Sequence, residues 1–363
     1  MIWYDLMDDL KAYPDATIYI VIGGRNTGKT YSSLKAIHYT LKKNFIFLKR
    51  TQEDVDLLCS GSGRLGAEKA DFGFDLSPFK SLNRDLGSAV KAFPIKKGLG
   101  GFWDTDEEGG AIGSVFGYLL GLTAVYKYKG FDLSDCDFII FDEFIPRKWD
   151  RNVSRGEGES VMDLYKTVDR GREISGRPPL KLIALANATM AANPLCQTLE
   201  IVDVIVDMQL KRQSYLYMED RGILIHMLYD NEEFREQESK SAIYRAMAGT
   251  AWAEMALNND FGYDDFTSVK NVRLKGYQPV ASYKYKSKRS YIWLNNGRWY
   301  IGPQRFKRPE HVKDYNLDQE NDQKLFYYDR VIDLRNDCME GRVDFAKFSD
   351  YDLIVNYKKY FTI

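Results

Sequence analysis

The chain has 363 residues, of which 44% are hydrophobic and 28% are charged, and its formal net charge is −1. This composition is typical of a soluble globular protein with two or three domains, and it excludes a disordered chain and a general polycation. The amino terminus lacks the basic and apolar regions of a signal peptide, and the most apolar run, residues 111–126, is too short to span a bilayer. We therefore expect no membrane association.

The cysteines are scattered singly along the chain, and only three histidines are present. No pair of cysteines has the C-x-x-C spacing of a zinc or redox motif, so a structural metal site is not expected. Isolated cysteines fit a reducing cytosol, which predicts a cytoplasmic location. The cysteines are Cys59, Cys136, Cys196 and Cys338.

The first 50 residues predict a βαβ unit. Residues 17–22 are a β-branched apolar run that predicts a buried strand, residues 29–41 carry apolar side chains at helical spacing, and residues 45–48 predict a second strand. Parallel strands need such a crossover connection. An α/β domain with a parallel central sheet is therefore expected.

A P-loop joins the first strand to the helix, because residues 23–30 match the pattern G-x-x-x-x-G-K-[ST] in full. Glycines at both ends let the backbone turn tightly and aim its N–H groups at phosphate oxygens, and the helix dipole favours the same anion. Lys29 is expected to reach the β- and γ-phosphates of ATP, and Thr30 to ligate Mg²⁺. The predicted nucleotide-binding residues are Gly23, Gly24, Arg25, Asn26, Thr27, Gly28, Lys29 and Thr30.

The next core strand is predicted at residues 138–141, after a glycine-rich insertion of hairpins at residues 60–130. It ends in Asp142 and Glu143. Asp142 is expected to hold the Mg²⁺ shell, and Glu143 to orient and deprotonate the attacking water. Such a base favours hydrolysis over phosphoryl transfer to an acceptor.

A helix over residues 159–170 and a strand over residues 181–186 follow, and Ile201 to Val206 is a candidate fifth strand. Asn187 ends the strand at 181–186 and would either sense the γ-phosphate or cap the strand. Strands alternating with helices predict a parallel sheet with helices on both faces.

Two arginines flank a glycine after the predicted helix. Either Arg170 or Arg172 could be an arginine finger on a neighbouring subunit's ATP, which is worth about 10³–10⁵ in rate. The alternative is a solvated charged turn.

The remainder predicts a helical linker and a second α+β domain. Residues 242–257 are Ala- and Met-rich and predict a helix, residues 280–301 predict three strands with a hairpin turn at residues 295–297, and residues 328–338 predict a helix. The expected domains are 1–225 for the ATPase, 226–265 for the linker and 266–363 for a DNA-binding domain.

Positive charge is concentrated in residues 270–308, which contain no Asp or Glu. A lysine-bearing strand face could contact nucleic-acid phosphates without reading bases. The alternative is a solvated edge strand whose lysines block aggregation. The acidic residues 314–337 predict a solvated helix face, with a nuclease as the lesser alternative. The candidate nucleic-acid residues are Lys284, Lys286, Lys288 and Arg289.

The order and spacing of these motifs resemble the DNA-packaging (encapsidation) ATPases of small podophages, the φ29-like group. Arg25 inside the P-loop and the string Asp-Glu-Phe-Ile at residues 142–145 are the most specific pieces. The resemblance is strong over residues 17–195 and weaker beyond. It implies an additional-strand, catalytic-glutamate ATPase domain and a vestigial ribonuclease-H-like carboxyl-terminal domain.

The resemblance also implies partners and site residues. It implies a homopentameric ring on the portal of a procapsid that pumps double-stranded DNA inward with ATP and Mg²⁺, and some relatives add a packaging RNA. Arg170 matches the family's trans-acting finger, and Lys129 matches a basic residue thought to act across the subunit interface. Lys49 and Arg50 match a basic pair, after which this chain has Gln52 where the reference member carries Lys.

Three hypotheses follow from the sequence. The first is an ATP-driven double-stranded DNA translocase. The second is a helicase or a terminase-like packaging enzyme with an active nuclease. The third is a nucleotide-binding assembly protein without catalysis.

Overall fold

The computed structural model describes residues 3–61, 74–128, 131–146, 154, 156–229, 232–250, 253, 264–306 and 312–363. The chain divides into two compact units. The first comprises Met1–Leu199 and Asp207–Tyr263, and the second comprises Glu200–Val206 and Asp264–Ile363. Among the described residues, no helix is long and apolar enough to cross a membrane.

The first unit contains a nine-stranded sheet. Its strands are β1 (Ile18–Ile22), β2 (Asn44–Lys49), β3 (Val90–Lys96), β4 (Leu99–Thr105), β5 (Ala111–Gly121), β6 (Cys136–Asp142), β7 (Lys181–Ala186), β8 (Tyr215–Met218) and β9 (Ile223–Met227).

Six of these strands form a parallel core in the order β5-β2-β6-β7-β1-β9. Antiparallel strands extend both sides, with β4 and β3 beyond β5 and β8 beyond β9. The central strands are apolar on both faces, as β1 shows with four of its five residues buried, because helices cover both faces of a parallel sheet. The expected mixed α/β fold with a large, mainly parallel sheet is confirmed.

The parallel strands share two edges that matter below. We call the edge at which β1, β2, β6 and β7 end the carboxyl edge, and the opposite one the amino edge. At about 3.3 Å per residue, the seven residues of β6 separate the two edges by about 20 Å.

Most helices of the first unit are short. They are α1 (Leu6–Ala12), α2 (Lys29–Leu34, continued by a π-helical turn at Lys35–Thr40), α3 (Gln52–Leu58), α4 (Lys80–Leu86), α5 (Glu157–Val168), α6 (Pro194–Thr198), α8 (Glu232–Ser239) and α9 (Ala242–Ala246), with 3₁₀ turns at Leu122–Tyr128 and Glu219–Arg221. Helix α7 (Val202–Leu210) belongs to the second unit up to Val206 and to the first unit from Asp207.

Three predictions need correction. The fifth strand predicted at Ile201 to Val206 is wrong, because these residues lie at the start of helix α7. The hairpins at residues 60–130 are not a separate insertion, since β5 pairs directly with β2 in the main sheet. The domain boundary expected at residue 225 falls inside β9, which pairs with β1, so residues 226–227 belong to the sheet.

The second unit is built on a five-stranded mixed sheet in the order β13-β10-β11-β12-β14, with β10 (Gln278–Tyr285), β11 (Lys288–Asn295), β12 (Arg298–Gly302), β13 (Lys313–Asn316) and β14 (Val343–Phe345). The predicted hairpin turn is present, with Asn296 and Gly297 both at positive φ. The helices are α10 (Glu320–Phe326), a π-helical turn at Tyr327–Val331, α11 (Ile332–Met339), α12 (Phe348–Val355) and α13 (Tyr357–Tyr360).

Candidate nucleotide site

The P-loop joins β1 to α2 at the carboxyl edge, as the sequence predicts. Gly28 has φ +81°, a left-handed conformation that glycine adopts without strain. Gly23 has no room for a side chain, because a Cβ would lie 2.5 Å from Leu228 Cδ1. Gly28 is therefore favoured by the backbone conformation, and Gly23 by the close approach of the Leu228 side chain.

Lys29 is buried inside the loop. Its ammonium donates to the carbonyl oxygens of Gly24 at 2.6 Å and Gly23 at 3.1 Å, and to Thr27 Oγ1 at 3.1 Å. Burial lowers the pKa of Lys29 to about 7, even though the nearby carboxylates of the site oppose that shift. Phosphate groups bound in this loop would supply the negative charge that a buried ammonium requires.

Asp142 ends β6 beside the start of α2. Its Oδ1 accepts a hydrogen bond from Thr30 Oγ1 at 2.9 Å, and its Oδ2 accepts one from Lys49 Nζ at 2.9 Å. A hydroxyl and a carboxylate at this separation are the oxygen ligands that Mg²⁺ takes in nucleotide sites. The donor set therefore fits the predicted metal.

Glu143 follows in a left-handed backbone conformation, with φ +57°, and its side chain is 62% exposed to the cleft. Such a conformation costs about 1–3 kcal/mol in a residue other than glycine and is concentrated at functional sites. Lys49 Nζ lies 3.5 Å from Glu143 Oε2. Burial lowers the pKa of Lys49, but attraction by Asp142 and Glu143 outweighs burial, so the net shift is upward and the ammonium is retained.

Arg50 holds the backbone that carries Glu143. Its guanidinium donates to the carbonyl oxygens of Glu143 at 3.2 Å and Phe144 at 3.0 Å. It also pairs with the carboxylate of Glu157, the first residue of α5, at 2.9 Å, and both side chains are buried. Sequence reasoning missed Glu157, because nothing local marks an acid 107 residues away as the partner of Arg50.

The cleft formed by these residues has a volume of about 370 Å³. Asn187 lines it at the end of β7, with Oδ1 3.4 Å from Lys29 Nζ. The structure therefore brings Lys29, Asp142, Glu143 and Asn187 into one site. The lining residues are Arg25, Asn26, Thr27, Gly28, Lys29, Thr30, Tyr31, Asp142, Glu143, Leu185, Ala186 and Asn187.

The two candidate finger arginines have opposite environments. Arg172 is 1% exposed, and its guanidinium donates to Asp137 Oδ1 at 2.8 Å and to the carbonyl oxygens of Ser134 and Cys136 at the start of β6. The prediction that Arg172 acts on a neighbouring subunit is wrong, because its charge is already used to hold its own loop. Arg170 is exposed and has no hydrogen bond or ion pair to another described residue.

Arg170 lies at the amino edge, two residues from the arginine that binds the start of β6. The nucleotide cleft of the same chain lies at the carboxyl edge, about 20 Å away. Arg170 therefore cannot reach its own cleft. The third predicted interface residue, Lys129, lies outside the described residues.

The basic strands of the second unit are paired with acids from elsewhere in that unit. Lys288 pairs with Asp203 at 2.8 Å, Lys284 with Asp318 at 3.3 Å, and Arg289 with Asp314. Lys286 lies against the Tyr285 ring, with Nζ 5.7 Å from its centroid. Three of the four candidate nucleic-acid residues therefore have a carboxylate partner in the folded unit.

The acidic helix of that unit also differs from its prediction. Asp329 accepts hydrogen bonds from Lys313 at 2.7 Å and Tyr315 at 2.8 Å, and Asp337 accepts one from Trp299 Nε1 at 2.5 Å. These carboxylates tie the helix to the sheet and are not simply solvated. Within the described ranges, no three acidic, histidine or cysteine side chains are grouped so that they could hold a metal ion.

Comparisons with known proteins agree with this architecture. Residues 112–333, more than half of the chain, match the podovirus DNA encapsidation protein (Gp16) family. The DNA packaging protein of Bacillus phage B103 is 28% identical over 284 residues, which cover 77% of this chain and 75% of that protein. The DNA packaging protein of Bacillus phage phi29 is 23% identical over 296 residues, which cover 79% of this chain and 75% of that protein. In the phi29 viral genome packaging motor assembly, a chain with 19% identity aligns with a TM-score of 0.63 over 99% of this chain and 100% of its own length.

Proposed function

The chain belongs to the podovirus DNA encapsidation protein family and is a DNA-packaging protein of a podophage; we propose that it hydrolyses ATP with Mg²⁺ and translocates double-stranded DNA as a ring motor. The observation that carries the proposal is the convergence of Lys29, Thr30, Asp142 and Glu143 in one cleft at the carboxyl edge. Elsewhere these residue types are common, but together they supply the groups that bind the phosphates, hold the metal and activate water in phosphoryl transfer.

The side chains divide that work. Lys29 and the loop N–H groups bind the β- and γ-phosphates, and Glu143 takes the proton of the attacking water. Thr30 and Asp142 would hold Mg²⁺, which when bound neutralises charge on the β- and γ-phosphate oxygens. Asn187, beside Lys29, is placed to orient the γ-phosphate or the water.

A ring supplies the remaining part of the site. Arg170 is exposed at the amino edge, so the cleft it can complete is that of a second copy. A contact between two different faces is heterologous and closes into a ring when the rotation permits. We propose a pentamer with Arg170 as the trans-acting finger, and Lys129 remains a proposed interface residue from the sequence.

The partners follow from the family. We propose that the ring acts on double-stranded DNA at the portal vertex of a procapsid in the host cytoplasm, with a packaging RNA as a further candidate partner. Contacts to DNA phosphates would be independent of sequence and weaken steeply with salt. The proposal that Lys284, Lys286, Lys288 and Arg289 supply these contacts is weakened by the ion pairs of Lys284, Lys288 and Arg289 within the second unit.

The second unit is proposed to be a vestigial ribonuclease-H-like domain. An active nuclease would need clustered carboxylates for metal, and the ion pairs of Asp314, Asp318 and Asp329 compete with such a role. Incubation with plasmid DNA and Mg²⁺ or Mn²⁺ tests this alternative. Cleavage that is lost when second-unit carboxylates are replaced would overturn the vestigial assignment.

The central experiment measures ATP turnover against protein concentration, with and without DNA. Glu143→Gln is expected to bind ATP but lose at least about 100-fold in turnover, because general-base catalysis contributes about 10²–10⁴. Arg170→Ala is expected to lose about 10³. Turnover should return when the two variants are mixed, since one supplies an intact finger and the other an intact cleft. Wild-type turnover in Glu143→Gln would contradict the proposed catalysis.

A further inference from the structure

We propose that Ile174 is an apolar anchor by which the finger loop, residues 169–177, docks onto the nucleotide-cleft face of a second copy of this chain. This inference rests on the proposed ring function and adds to it a binding surface separate from the arginine finger. Ile174 would stabilise the association of two copies, whereas Arg170 would act in ATP hydrolysis.

The exposure of Ile174 is the first observation. Its side chain is 96% exposed, the highest value among the large hydrophobic residues of the described chain. Single exposed hydrophobic residues are common on protein surfaces, so exposure alone does not mark an interface. The conformation of the loop and the neighbouring charge distinguish this one.

Two arginine side chains fix the loop that carries Ile174 to the start of β6. Arg172 binds Asp137 and the carbonyl oxygens of Ser134 and Cys136, and Arg177 donates to Ser134 O at 2.5 Å and Asp137 at 3.2 Å. Backbone hydrogen bonds from Arg177 N to Arg172 O at 2.9 Å and from Ser175 N to Gly171 O at 3.0 Å close the loop.

The same loop is tightly turned, with Gly171 at φ +73° and Gly176 at φ +66°. Isoleucine at the tip of a loop fixed by two buried or half-buried arginines does not need to reorder when it meets a partner. Preorganisation of this kind lowers the entropic cost of binding. The loop is therefore built to present an apolar side chain outward.

The positions of the loop and the cleft identify the partner. Arg170 precedes Ile174 by four residues and is an exposed cation without a described partner. The cleft at the carboxyl edge carries Arg25 and Lys29 beside Asp142 and Glu143, so the negative charge that Arg170 would meet there comes with a bound nucleotide. Loop and cleft lie on opposite edges of the sheet, so one copy can offer its loop to the cleft of the next. A second copy is the occupant that this arrangement fits.

The anchor is tested with the full-length chain by Ile174→Asp and a matched control, Ile112→Asp. Ile112 is an exposed isoleucine of β5, 48% accessible, and is not part of the finger loop. Sedimentation velocity and ATP turnover are measured over a range of protein concentrations. Ile174→Asp is expected to raise the concentration for half-maximal turnover at least about tenfold, equivalent to about 1.4 kcal/mol, while turnover at saturation is retained. The control is expected to shift that concentration less than about twofold.

Mixing separates a lost anchor from a misfolded chain. Ile174→Asp keeps an intact cleft, so adding Glu143→Gln, which keeps an intact loop, is expected to restore turnover at low concentration. Failure of this rescue would overturn the inference.

The two proposals fail in different ways. An unchanged half-maximal concentration in Ile174→Asp, with turnover still lost in Arg170→Ala, would reject the anchor and leave the ring motor standing. Wild-type turnover that does not depend on protein concentration would reject the shared site, and the anchor with it.

Discussion

The nucleotide cleft and the basic sheet of the second unit both carry dense charge, but they use it differently. In the cleft, Lys29, Asp142 and Glu143 converge on a volume of about 370 Å³ that a ligand can enter. In the basic sheet, Lys284, Lys288 and Arg289 each have a carboxylate partner from another part of the unit. The carboxylates of the cleft also have a partner, Lys49, but they line a cavity that a ligand can enter. Charge density in a sequence is therefore weaker evidence for binding than a motif of fixed spacing.

The largest expected effect is a loss of stability on replacing Arg50, whose charge is fully engaged next to the cleft. Replacing Arg50 with Met removes the ion pair that Arg50 makes with the buried Glu157 carboxylate and releases the carbonyl oxygens of Glu143 and Phe144. We expect a loss of about 3–5 kcal/mol in the free energy of unfolding, measured by urea denaturation. The double variant Arg50→Met with Glu157→Leu should recover part of that stability but not ATP turnover. Full recovery of turnover would show that Arg50 does not position Glu143.

Arg172 and Arg170 provide a similar contrast at the amino edge. Arg172→Met should lower the free energy of unfolding by about 1–3 kcal/mol, because the Cys136 carbonyl oxygen loses its buried arginine donor. Asp137 and the Ser134 carbonyl oxygen, which Arg177 also contacts, each lose one of their donors. Arg170→Met, the matched control on an exposed side chain, should change it by less than about 0.5 kcal/mol. The free energy of unfolding of both variants is measured by thermal and urea unfolding. An equal loss in Arg172→Met and Arg170→Met would contradict the division of roles between the two arginines.

The pH dependence of ATP affinity reports on the buried lysine of the cleft. The pKa of Lys29 is lowered to about 7, and bound phosphates would raise it, so binding above pH 7 takes up a proton. Affinity should be full below about pH 7 and weaken by up to about tenfold per pH unit above it. Calorimetry in buffers of different ionisation enthalpy measures the proton uptake. Lys29→Arg keeps its charge throughout and should show a flat profile between pH 7 and 9.

The smallest effect is expected in the basic sheet. Because its cations are paired and partly exposed, replacing Lys284, Lys288 and Arg289 together by Ala should reduce double-stranded DNA affinity less than about threefold at 0.15 M salt. Fluorescence anisotropy with a duplex oligonucleotide measures this. A loss of tenfold or more, with a reduced salt dependence, would restore the sequence-based prediction that this face binds DNA.

The errors of the sequence-based predictions have physical causes. Residues 201–206 are β-branched and apolar, which favours a strand, yet burial of Ile201, Val202, Ile205 and Val206 follows helical spacing and the segment is a helix. Arg172 and Arg170 look alike in the sequence, and only the fold places one guanidinium beneath the loop. Tertiary contacts decide whether an apolar segment becomes a strand or a helix and whether an arginine is buried or exposed. The spacing of residues in the sequence does not encode those contacts.

What the sequence by itself determined is the nucleotide site. The P-loop and the acids at the end of β6 are contiguous motifs that can be read from the sequence, and their strands end at one edge of a parallel sheet. Only the tertiary structure decided that Arg50 contacts the backbone of Glu143 and pairs with Glu157, and that Arg170 lies at the edge opposite the cleft of its own chain. The structure also decided that Lys284, Lys288 and Arg289 have carboxylate partners. These depend on residues far apart in the chain that meet only when the sheets are formed.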